Sequence, residues 1–181
     1  MTLRTARLDL EPWDERGRAL AVRLAALPEV TRFLRDGSVY GADEALALSE
    51  RQAAHWRAHG WGSYVGVERS SGTAVAFLSQ NRAGEGTPGL DPSAHEIGWW
   101  VDPAAWGRGY ATEGARELVR AAFEDVGSPG VVARIHPDNA ASLAVAHAVG
   151  LRFAFASTGP AGQPIHVLRL DAPANVRRSP P

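Results

Sequence analysis

The residues best placed to do chemistry are two closely spaced glycines in Trp106-Gly107-Arg108-Gly109-Tyr110-Ala111. An apolar strand pattern ending at Val101 leads toward them, and an amphipathic helical pattern follows at once. Glycine adopts backbone angles that other residues resist, and it lets a ligand come close to free N–H groups. The first turn of a helix also carries partial positive charge. Strand, Gly-rich turn and helix together form a site for phosphate or pyrophosphate. The chemistry implied is capture of a nucleotide-like molecule.

A second set of residues could move protons. Glu96 opens the run Glu-Ile-Gly-Trp-Trp-Val101. On period 2 it shares a face with Gly98 and Trp100, opposite Ile97 and Trp99. A carboxylate beside aromatic surface suits a general base, acting directly or through water. A structural partnership with an arginine stays open for the same residue. His136 ends the following strand and is the reserve base. His55 and His59 stand four apart, but no Glu follows His55, so the HExxH pattern fails and no metal is expected. The absence of cysteine excludes thiol catalysis, Cys-zinc sites and disulfides.

These residues need elements to hold them. Arg7–Pro12 alternates like a first strand, and Asp14 is placed to cap a helix running to about Leu27. Asp43 is expected to cap a second helix that ends at Gly60. Strands are expected at Gly62–Arg69, Thr73–Asn81 and His95–Val101, with Arg82–Ser93 as a Gly- and Pro-rich loop. A helix over Ala111–Asp125 is the clearest, with Ala115, Leu118 and Ala122 on one stripe. A strand at Val131–His136, a helix at Asn139–Val149 and a last strand pair, Leu151–Ser157 and Ile165–Leu170, complete the order. Early hairpins followed by β-α-β units imply a mixed α/β fold, a mostly antiparallel sheet flanked by helices.

Composition narrows the function. The chain has 181 residues, 45% of them hydrophobic, which suits one domain over 1–171 with a disordered tail at 172–181. A net charge of −1 gives no footprint for nucleic acid. No apolar run reaches membrane-spanning length and the N-terminus lacks a signal-peptide core, so a cytoplasmic protein is expected. A dinucleotide-binding oxidoreductase needs its glycines after the first strand, and a phosphate-loop NTPase needs Gly-Lys-Ser/Thr. Neither pattern occurs.

The element order, with a Gly-rich turn after the fourth strand, resembles the GNAT superfamily of acetyl-CoA-dependent N-acetyltransferases, the acyl-CoA N-acyltransferase fold. The family signature Arg/Gln-x-x-Gly-x-Gly/Ala is met at Gly109 and Ala111, with Trp106 in the first position. Trp-Gly-Arg-Gly-Tyr-Ala-Thr-Glu113 is similar to the Rim-type ribosomal-protein acetyltransferase branch. So are Arg4-Thr-Ala-Arg-Leu-Asp-Leu-Glu-Pro-Trp13 and Asn139-Ala-Ala-Ser142 followed by Gly150-Leu-Arg-Phe153. Leu151 replaces the usual Phe. Ala146 stands where relatives outside this branch carry a tyrosine that protonates the leaving thiolate.

The resemblance implies acetyl-CoA as co-substrate, held between the strands His95–Val101 and Val131–His136. It implies contacts from Trp100, Val101, Trp106, Gly107, Arg108, Gly109, Tyr110, Ala111, Asn139 and Ser142. Glu96 becomes the implied base, and Ser142 the donor to the leaving sulfur or a helix-start residue. Asn139 is the N-cap of its helix, with a further role at the pantetheine arm or the acceptor. An oxyanion donor is implied near Trp100 or Val101, where the family strand bulges. The acceptor is a small amine or a protein N-terminus, shaped by the two early helices and by loops 82–93 and 159–164. No nucleic-acid or membrane partner is implied, and a homodimer is left open. The rival is a non-catalytic acetyl-CoA sensor or scaffold.

Overall fold

The computed structural model describes residues 2–83, 87 and 89–173. Its centre is one eight-stranded sheet in the order β1-β2-β3-β4-β5-β6-β8-β7. The strands are β1 (Leu3–Arg4), β2 (Leu8–Pro12), β3 (Tyr64–Glu68), β4 (Thr73–Arg82), β5 (His95–Val101), β6 (Gly130–Ile135), β7 (Arg152–Thr158) and β8 (Pro164–Asp171). All neighbours run antiparallel except β5 and β6. The two-residue β1 was not foreseen; it pairs Leu3 with Leu10 and extends the edge.

Helices cover both faces. On one side lie α1 (Glu15–Ala25), the short α2 (Pro28–Thr31) and α3 (Ala42–His59). Leu20, Leu24, Val65, Phe77 and Trp13 fill the space beneath them. On the other side lie α4 (Tyr110–Glu124) and α5 (Ala140–Ala148). The 3.6-residue stripe of α4 buries Ala115, Leu118 and Ala122 completely. Truncating Leu118 there would cost about 2–5 kcal/mol.

Local chemistry explains most boundaries. The Asp14 carboxylate accepts from the N–H groups of Arg16 and Gly17, so α1 starts where expected. Pro28 then opens α2. α3 starts two residues earlier than expected. Gly41 is its N-cap and Glu44 reaches back to the Gly41 N–H at 2.9 Å, leaving Asp43 inside the first turn. The tail expected from 172 lies largely outside the described residues. Ala172 belongs to the domain: it is buried, and its N–H donates to Pro129 O.

The site depends on one irregularity. β5 and β6 pair only at His95↔Val131 and Glu96↔Val132. Beyond that point β5 stays on β4 as far as Val101, and β6 stays on β8 as far as Ile135. The two strands therefore part, and the edge of β5 from Ile97 onward faces open space.

Candidate active site

A cleft of about 800 Å³ opens where the strands part. One wall is the Gly-rich turn with Trp106, Gly107, Gly109, Tyr110, Ala111 and Thr112; another is the start of α5 with Asn139, Ser142 and Val145. Both glycines of the turn take left-handed angles, φ +73 at Gly107 and +80 at Gly109. A Cβ at Gly107 would meet nothing within 4 Å, and one at Gly109 only the end of Arg7 at 3.5 Å. Neither position is crowded, so glycine is required there by the left-handed backbone angle. Gly109 is the N-cap of α4, so the first N–H groups of that helix have no helical partner.

Trp106 explains the departure in the signature's first position. Its indole N–H donates to Val101 O at 2.7 Å, at the open strand edge. The Asp102 N–H donates to Val75 O on β4. By the antiparallel alternation, Trp100 also turns its N–H to β4, while Trp99 and Val101 turn theirs to the open edge. Between Trp100 and Val101, Val101 is therefore the donor free to face the cleft. No bulge is needed for this. The β4–β5 register runs without a shift from Arg82↔His95 to Ala76↔Val101, so the expected bulge does not occur.

A clasp of side chains fixes the turn from behind. Glu113, in the first turn of α4, accepts from the Thr5 hydroxyl at 2.6 Å and from the Arg7 N–H at 2.7 Å. Its other oxygen takes the Arg7 guanidinium at 2.7 and 2.6 Å. Arg7 Nη1 then donates to the carbonyl of Arg108 at 2.8 Å. Burial alone would raise the Glu113 carboxyl. The bonds from Thr5 and Arg7 outweigh it and hold the carboxyl below the usual carboxylate range. The Tyr110 hydroxyl donates to Glu68, and the Arg108 side chain lies 3.8 Å from the same carboxylate. Arg108 thus directs its charge to Glu68, and it is absent from the cleft lining that the rest of the turn supplies. The sequence held a signal for this clasp: the Thr5-x-Arg7 pair at the first strand and Glu113 just after the glycines.

Asn139 caps α5, accepting from the Ser142 N–H at 3.1 Å. Both residues line the cleft. Ala146 is fully buried in the core one turn further on.

Glu96 sits where the strands separate, its side chain 20% exposed. It stands on the face shared with Gly98 and Trp100, as period 2 requires. Its Oε1 accepts from Arg134 Nε at 2.8 Å, and Arg134 Nη1 donates to Thr87 Oγ1 at 3.0 Å. Arg134, the one cation of β6, was missed by sequence reasoning. Its signal was its place on the neighbouring strand, two residues past the Glu96↔Val132 pair. Glu96 Oε2 takes no bond among the described residues. His136 also lines the cleft. Its Nδ1 accepts from the Asp138 N–H at 3.2 Å, so a neutral ring carries its hydrogen on Nε2 and has no free lone pair.

A second cavity, about 560 Å³, meets the first at Glu96, Arg134, His136, Phe33 and Leu34. Its far side is Arg35, Tyr40 and Arg51 with Gly159, Pro160, Ala161 and Gln163. The expected contributions of the early helices and of loop 159–164 meet here. Residues 84–86 and 88 of the other expected loop lie outside the described residues. The pair His55 and His59 lies elsewhere, packed against Trp61 edge-on and tilted, with ring centroids 4.6 and 5.8 Å away.

The fold and its divided sheet agree with what sequence comparison finds. The profile of the acetyltransferase (GNAT) domain matches residues 7–152. The chain belongs to the GNAT acetyltransferase family. The FsC-acetyl coenzyme A-N(2)-transacetylase of Aspergillus fumigatus is 34% identical over 156 residues, covering 83% of this chain and 64% of that protein. The chain thus spans less than two thirds of that relative's length. An acetyltransferase from Agrobacterium tumefaciens superposes with a TM-score of 0.79 at 26% identity, covering 94% of each chain. Mycobacterium smegmatis RimJ, solved with a coenzyme A disulfide, superposes at 0.74 with 22% identity, covering 95% of this chain and 88% of that one. No helix among the described residues is long and apolar enough to cross a membrane.

Proposed function

We propose that the protein is an N-acetyltransferase that moves an acetyl group from acetyl-CoA to a primary amine by direct attack with both substrates bound. The observation that carries this reading is the meeting of two cavities at Glu96: one fits coenzyme A, the other an acceptor. The residues fit the co-substrate on this chain's own geometry. The turn leaves room where a Cβ would project, the first N–H groups of α4 are available to a pyrophosphate, and the strand edge is open. Bound acetyl-CoA supplies the acetyl group as a thioester.

The protein's residues then have separable tasks. Backbone N–H groups from Gly107 to Ala111 hold phosphate, and the N–H of Val101 stabilises charge developing on the carbonyl oxygen. Glu96 accepts the amine proton through Oε2 while Arg134 holds Oε1 in place. The Ser142 hydroxyl donates to the departing sulfur, a task for which Ala146 offers no group.

The test is release of free coenzyme A, read with a thiol reagent, across a panel of amines. The protein has no cysteine, so the reagent sees only product. Acetylated amine matching coenzyme A release is the expected result. Tight coenzyme A binding with no transfer to any amine would leave the sensor reading in its place.

A further inference from the structure

The second cavity has a charge pattern that a neutral amine would not use. Three guanidiniums, Arg35, Arg51 and Arg134, face one lining carboxylate, Glu96. Arg134 is paired with Glu96, and Arg35 with Glu44 at 2.9 Å. Arg51, exposed on α3, has no ion-pair partner among the described residues. One cation is therefore left over at this cavity.

The same region is held in place at an energetic cost. Arg35 has φ +49, the one left-handed non-glycine among the described residues. Such strain persists only where the surroundings enforce it, and it concentrates at functional sites. Here it seats the guanidinium 4.9 Å over the Tyr40 ring, which in turn lies 5.8 Å from Trp100. Burial pushes the Tyr40 phenol up; Arg35 and Arg51 pull it down more strongly than Glu44 and Asp36 push it up, so the cations dominate the local field. A planar fork of N–H donors suits a carboxylate or phosphate.

On the reading that acetyl transfer to an amine occurs at Glu96, we infer that this cavity selects amines carrying an anionic group, a carboxylate or phosphate, held by Arg51 beside Arg35. The amine would lie at the Glu96 end and the anion at the arginine end.

Matched pairs test this: 4-aminobutanoate against 4-aminobutanamide, and phosphoethanolamine against ethanolamine. Binding is measured calorimetrically on protein saturated with coenzyme A, and acetyl transfer is followed in parallel. The anionic member should bind about tenfold tighter or more, and the pair showing it distinguishes carboxylate from phosphate. Arg51→Gln should bring that ratio close to one, whereas Arg51→Lys, which keeps the charge but not the fork, should keep part of it. The thermal midpoint of Arg51→Gln should match wild type, so a lost preference is not lost folding. Equal binding within both pairs, a preference untouched by Arg51→Gln, or no binding of any member overturns the inference. If neutral amines are acetylated as well as anionic ones, the inference falls and acetyl transfer stands. An Arg51-dependent preference without transfer to any amine supports the anion site and removes the catalytic reading.

Discussion

Replacing Glu113 with Gln should loosen the Gly-rich turn without touching the cleft. Glutamine keeps one carbonyl oxygen for Thr5 and the Arg7 N–H but turns an amide NH2 toward the guanidinium. Hydrogen bonds to a charged group contribute about 1.5–3 kcal/mol each. The Arg7 side chain is 49% exposed, so solvent screening brings its ion pair down to about 1 kcal/mol. Together the loss should be about 2 kcal/mol of stability. With Arg7 released, its bond to the Arg108 carbonyl goes too, and the turn must be ordered by the ligand. If about 1.4 kcal/mol of ordering falls on binding, coenzyme A affinity drops about tenfold. The wild-type clasp is also pH-dependent. The folded carboxyl titrates below its ordinary 4.5, so its stabilisation is complete above that pH and is lost as pH falls through the lower folded value. Calorimetric titration of coenzyme A and urea unfolding of both proteins, at pH 7 and below 4.5, measure this. Equal coenzyme A affinity in the two proteins at pH 7 would refute the clasp as a support of the turn.

Three further outcomes are expected. Gly109→Val should weaken coenzyme A at least about tenfold by calorimetry, because a branched side chain at φ +80 costs about 1–2 kcal/mol and distorts the turn that presents the helix N–H groups; unchanged affinity would remove the turn from the site. Ser142→Ala should slow turnover about 10- to 100-fold at saturating acetyl-CoA with little change in coenzyme A affinity, because the Ser142 N–H still serves Asn139. The opposite split would make Ser142 a ground-state contact. Burial, aided by Arg82 and His55, drives His95 down from 6.5 to about 4, so only the unfolded state takes up its proton in between. Stability should therefore fall as pH drops through that window, by about 3 kcal/mol at its acid end. His95→Phe, which can keep the ring stacked on Trp61, should flatten that part of the urea-unfolding profile, and an unaltered slope would refute the assignment.

Much of this molecule is legible where a local rule acts alone. The stripe of α4, the caps at Asp14 and Asn139, and the stop at Gly60 are set by side chains within one turn of the boundary. The strand His95–Val101 is found to the residue, because one face meets each helix layer. What the sequence does not disclose is pairing across long separations. Nothing near Glu96 announces Arg134, 38 positions on, and nothing near Gly109 announces that Arg7, in the bend between β1 and β2, holds its turn at the Arg108 carbonyl. The aromatic strand suggests a carboxylate among rings. The tertiary contact sets a guanidinium there instead. The second cavity draws Arg51 from α3, four residues from the segment after α2 and four from the loop before β8, so no local motif could mark it.

In the proposed reaction Glu96, at the junction of the two cavities, removes the proton from the acceptor amine. Glu96→Gln keeps the shape and an oxygen for Arg134 but cannot accept a proton at neutral pH. Its turnover at saturating acetyl-CoA and amine, measured beside coenzyme A affinity on the same preparation, is the most direct test. A fall of about 10²-fold or more in kcat is expected, with coenzyme A affinity within about twofold of wild type. A kcat close to wild type would contradict it and assign the proton transfer to solvent.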